Sequence, residues 1–131
     1  MRSRLLLVCL CALSPLTHAS SPQTGMSRAE RELCRSEVET FFARERAQHA
    51  GGTAVRAPSA SQVTRRVEDE LRMESALAER FSTRIDADAL QAELSRIQRE
   101  SRAPAQLQRL FEALNRDPHR AAECIARPGL V

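Results

Sequence analysis

Residues 85–125 read IDADALQAELSRIQRESRAPAQLQRLFEALNRDPHRAAECI, and the fold class turns on this stretch. The carboxylate of Asp86 suits the unpaired amides at a helix start, and Ile85 before it with Leu90 four places after it has the spacing of a hydrophobic staple. Leu90, Leu94 and Ile97 continue at steps of four and three, the period of one helix face. Pro104 lacks an amide proton that a first helical turn leaves unused anyway, so it suits the start of another helix. There Leu107, Leu110, Phe111 and Leu114 follow the i, i+3, i+4, i+7 pattern. Asn115-Arg116 make a turn, Asp117 caps, and Pro118 opens a short final helix carrying Ala121, Ala122, Cys124 and Ile125 until Pro128-Gly129 stop it.

Upstream, the same logic gives two longer helices. Ser27-Arg28-Ala29-Glu30 matches a capping box, which starts a first helix over 27–50. Leu33, Cys34, Val38, Phe41 and Phe42 share its apolar face, while Arg31, Arg35, Glu39 and Arg46 fall elsewhere. Gly51-Gly52 end this helix, and 51–61, rich in small residues around Pro58, reads as a linker. Ser59-Ala60-Ser61-Gln62 offers two caps for a second helix, marked by Val63, Val67, Leu71, Leu77, Ala78 and Phe81 and ending near Thr83. No segment alternates with period two between turn residues, so no sheet is expected. The expectation is an all-α fold: a small irregular bundle of about five helices, with the first helix joined by a flexible linker to a four-helix module over 62–131. Short loops place the last three helices side by side.

Residues 1–19 read as a cleavable secretory signal, with Arg2 and Arg4 before the apolar run Leu5 to Leu13 and small residues at Thr17-His18-Ala19. The apolar run is too short to span a bilayer. A flexible mature start over 20–26 follows. Without the leader the chain keeps 18 of its 20 arginines against 17 acidic residues, a net charge near +1. No lysine is present, and the two signs alternate along the chain, so there is no polybasic arm for nucleic acid or membrane. Four Phe without Trp or Tyr give few stacking platforms, and four Gly form no phosphate-cradling loop. The expected compartment is the periplasm or the exterior.

Cys34 and Cys124 are the two cysteines left beyond the leader. In an oxidising compartment they form a candidate disulfide; the other reading is two separately buried small side chains. His49 and His119, with cysteines far apart in sequence, make no metal-ligand spacing, and both histidines are expected to face solvent. Cys124 with His119 has no third group to orient a nucleophile, so no catalytic residue and no cofactor are assigned. Glu68, Asp69, Glu70, Glu74 and Glu79 are interleaved with Arg65, Arg66, Arg72 and Arg80; pairing of Asp69 with Arg65 or Arg72, and of Glu68 with Arg72, is expected on a solvated helical face.

The order Ala76-Leu77-Ala78-Glu79-Arg80-Phe81, then Ile85-Asp86, Leu90-Gln91-Ala92-Glu93-Leu94 and Arg96-Ile97, resembles the helical N-terminal module of SurA-type periplasmic chaperones and parvulin-type peptidyl-prolyl isomerases. Pro104 to Leu114, Asp117-Pro118 and Glu123 to Pro128 are similar to a variant of that module in large exported bacterial proteins, and Glu37 to Arg44 is similar to the variant's first helix. In that family isomerase activity belongs to a separate parvulin domain, which these residues do not include. The resemblance therefore implies the module's other role, holding unfolded or extended polypeptide without catalysis. Candidate contacts are Phe41, Phe42, Phe81 and Phe111. Of these, Phe81 and Phe111 also suit the core, whereas adjacent Phe41 and Phe42 cannot both point inward on one narrow face. The alternative is a structural or adaptor protein that docks on a specific exported partner or on itself.

Overall fold

The hydroxyl of Ser27 accepts from the Glu30 amide while the Glu30 carboxylate accepts from the Ser27 amide at 2.7 Å, and the first helix, α1, runs from this box over Arg28–His49. A computed structural model of the chain describes residues 25–52 and 56–131. The leader at 1–19, and all of 20–26 except Gly25 and Met26, lie outside the described residues. Gly51 and Gly52 both take positive φ, 68° and 86°, which ends α1 at no steric cost.

Of the two caps offered at the next start, Ser59 is the one used, in a second capping box with Gln62, and α2 spans Ala60–Phe81. The stretch read as a linker therefore gives up its last two residues to this helix. Asp86 caps α3 (Ala87–Glu100) by accepting from the Ala89 amide at 2.9 Å. Pro104 opens α4 (Pro104–Ala113). Asn115 and Arg116 turn the chain with positive φ, and Asp117 caps α5 (Pro118–Ala121). A π-helical turn over Ala122–Ala126 and a 3₁₀ turn over Arg127–Gly129 prolong α5, so the final segment is one continuous helical rod. The protein is all-α, and no strand occurs among the described residues.

Two apolar clusters organise the packing. Cys34, Val38, Leu110, Leu114 and Cys124 bury themselves where α1, α4 and the final rod meet, with Met26, Phe41 and Phe42 at the edge. Leu90, Leu94, Ala121, Ala122 and Ala126 form the second, between α3 and the same rod, with Ile85, Ile97, Phe111 and Leu130 against it. Ile125 touches both. The wider π turn helps one short rod present Cys124 to α1 and its alanines to α3. Cys34 and Cys124 are disulfide-bonded, with Cα atoms 5.5 Å apart and 90 residues between them in sequence.

The grouping differs from the expected one. α1 packs on α2, α4 and the final rod, and α2 lies chiefly along α1 rather than with the later helices. α4 likewise packs on α1, not closely along α3. The reason is polar as much as apolar. Glu39 meets Arg66, Arg35 meets Glu70 and Arg31 meets Glu74, so each step of four down α1 matches a step of four up antiparallel α2. Arg28 adds a bond to Glu68. The acidic side chains of α2, expected on a solvated face, are mostly turned to α1; only Asp69 keeps an expected partner, Arg72.

Candidate functional site

The divergence of α4 from α3 leaves a furrow between them, closed at one end by the turn into α5. Leu94, Phe111 and Ala121 form its floor, Gln91, Gln98 and Gln108 stand along it, and Arg116, Asp117 and Pro118 close it, around a volume of about 290 Å³. Leu94 and Ala121 are buried members of the second cluster, which fixes the floor, and Phe111 is half-buried with one side against that cluster. The amide of Gln91 donates to Ser95 Oγ at 3.3 Å. The side-chain amides of Gln98 and Gln108 bond no other described residue, so each offers a free donor and a free acceptor.

A second hollow of about 350 Å³ lies on the other side of Gln91 and Pro118, which line both. Ile85, Ala87, Leu90 and Ala122 supply its apolar wall, and Asp86, His119, Glu123 and Arg127 its polar one. The stretch of α3 from Ala87 to Gln98 borders both and spans roughly 16 Å at about 1.5 Å per residue. That is the length of about five residues of extended chain.

The charged wall is structural in character. Glu123 and Arg127 are buried and joined by two hydrogen bonds, and Arg127 also reaches Glu74 Oε1 at 3.2 Å, where Arg31 binds at 2.6 Å. The Glu123 hydrogen bonds outweigh burial and raise the Arg127 pKa, so its charge is permanent. Burial pushes Glu74 up, but the bonds and charges of Arg31 and Arg127 together hold it below the usual carboxylate range. At the far end of α1, the Arg109 bond, assisted by Gln106, likewise holds buried Glu45 low despite burial. Among the described residues, no buried side-chain nitrogen or oxygen lacks a hydrogen-bond partner. A paired buried charge of this kind supplies register more readily than chemistry.

The four phenylalanines do not converge. Phe111 lines the furrow. Phe41 and Phe42 both pack against the edge of the first cluster, in edge-to-face contact with ring centres 5.4 Å apart. Each manages this by being half-buried, so neither needs the centre of the face. Phe81, expected in the core, is 70% exposed. One more step of the α1–α2 register sets Ser27 opposite Ala78, so the last turn of α2 overhangs the start of α1 and has nothing from that helix to cover it. His119 is exposed at the hollow, and His49 is exposed with Nδ1 donating to the Glu45 carbonyl at 2.7 Å. No cluster of three or more metal-ligating side chains occurs among the described residues, and none of their helices is long and apolar enough to cross a membrane.

The glutamines carry no mark in the sequence that sets them apart. Gln91 and Gln98 lie seven apart on α3 and Gln108 on α4, a spacing that carries no signal until the two helices are placed side by side. No family model matches the chain, and no curated protein or solved structure matches it either.

Proposed function

We propose that this protein is an exported, non-catalytic module of chaperone-like character that holds extended or unfolded polypeptide, a role of the kind implied by its resemblance to the helical module of SurA-type chaperones. The observation that carries the reading is the furrow: an apolar floor of Leu94, Phe111 and Ala121 beside the unpartnered amides of Gln98 and Gln108. An unfolded chain presents apolar side chains and backbone N–H and C=O groups together. A floor without amides would attract any grease, and amides without a floor would prefer water; the combination favours extended polypeptide. Amide side chains bind backbone without demanding a sequence, which suits many clients. The proposed compartment, periplasm or exterior, agrees with the disulfide, since such bonds persist in oxidising surroundings.

Aggregation of a chemically unfolded outer-membrane protein on dilution tests the proposal. At equimolar ratio the intact protein is expected to suppress light scattering, and Phe111→Ser to lose most of that effect, with Phe42→Ser close to the parent. No suppression by the parent, or equal suppression by Phe111→Ser, overturns the reading.

A further inference from the structure

Outside the furrow, the least explained surface is on α2. Met73 and Phe81 are 44% and 70% exposed, and with Leu77 they form a stripe at steps of four. Single exposed apolar residues are ordinary, but two on one helix face with half-buried Leu77 between them are not. Asp69 precedes it by one turn and Arg80 closes it, both exposed. Arg80 has no carboxylate partner among the described residues, and the bond of Asp69 to Arg72 is an exposed pair that exchanges at little cost.

Read along the helix, the surface runs acidic, apolar, apolar, basic, at steps of four, four and three. Turned end for end about a two-fold axis between Met73 and Leu77, this pattern complements itself. Met73 meets Leu77 of the second copy, Leu77 meets its Met73, and Asp69 of each copy comes level with Phe81 of the other, within one residue of its Arg80. Phe81 then caps each end of the apolar seam. We propose that α2 is a homodimer interface, formed by antiparallel pairing with a second copy of this chain. An isologous contact requires one patch to serve as its own partner, and opposite charges at its two ends set the register while disfavouring parallel pairing. The interface spans about three helical turns, which is small by the standard of stable complexes, so the dimer is weak and concentration-dependent. The proposal is independent of peptide binding in the furrow.

Sedimentation equilibrium of the full chain from about 1 µM to about 1 mM reads the outcome. The parent is expected to pass from monomer to dimer within that range. Asp69→Arg and Arg80→Asp, each placing like charges in contact, are expected to raise the dissociation constant at least about tenfold, and the double variant Asp69→Arg/Arg80→Asp to recover to within about threefold of the parent. Both sites are exposed, and unchanged helical circular dichroism verifies the fold. A monomer throughout the range, a dimer indifferent to the single reversals, or a double variant no better than the singles overturns the proposal.

Discussion

The two seams of this molecule are made of different materials. Between α1 and α2 the contact rests on Val63 and Val67 with a ladder of arginine–glutamate pairs, whereas α3 meets the final rod through Leu90, Leu94, Ala121, Ala122 and Ala126. Alanines let two helices approach closely and lose little side-chain entropy on burial, so the second seam gains chiefly from excluded water. In the first, each pair must offset the desolvation of two charges, and its strength depends on pH and salt. The floor of the furrow belongs to the apolar seam and the proposed dimer surface to the ionic one. Changes of solvent should therefore reach α2 first and the furrow last.

The largest expected effect comes from the bond that spans both regions. Replacing Cys34 and Cys124 by alanine together removes a constraint closing some ninety residues and is expected to cost about 3–5 kcal/mol, read by urea unfolding. A loss under about 1 kcal/mol would mean that the apolar clusters alone position the rod. Next is Arg127→Ala, which strands buried Glu123 and takes one partner from Glu74. A loss of roughly 2–3 kcal/mol is expected, below the figure for a fully enclosed pair because Glu74 keeps Arg31.

Acid should separate the seams. The carboxyl of Glu74 titrates below its ordinary range in the fold, so it contributes stability that is complete above about pH 4.5 and is lost as the pH falls through the lowered value. Amide-exchange protection, corrected for intrinsic rate, is expected to fall in α2 as the pH drops below about 4.5, while α3 and the rod, joined by their apolar cluster, retain theirs. Uniform loss would show that the two seams are one cooperative unit. The smallest change should be Glu39→Gln, which removes a pair whose arginine is more than half exposed: about 0.5 kcal/mol, diminishing with added salt.

What could be read from the sequence was local. Ser27, Asp86 and Asp117 act within three residues of themselves, and Gly51-Gly52 and Pro104 within one or two, so helix number and boundaries were visible to within about two residues. The neighbours of those helices were not. Glu70 and Glu74 look like solvated helix charges until α2 folds back in a particular register against Arg35 and Arg31. The exposure of Phe81 depends on where α1 begins relative to the end of α2, which no periodicity records. Cys34 and Cys124 left two readings open because only the tertiary fold brings them within bonding reach. Of the four candidate phenylalanines only Phe111 lies in the furrow, since a Phe on a helix face looks the same whether it fills a core or lines an opening above one.

Whether the furrow between α3 and α4 receives extended chain is read by two-dimensional NMR titration with a peptide about six residues long, alternating leucine and serine. Saturable shifts are expected in the side-chain amides of Gln98 and Gln108 and in the backbone around Phe111 and Ala121, with little change at Phe41 or Phe42. Saturable binding that leaves those amides unmoved, or shifts confined to the exposed stripe of α2, would contradict binding in the furrow.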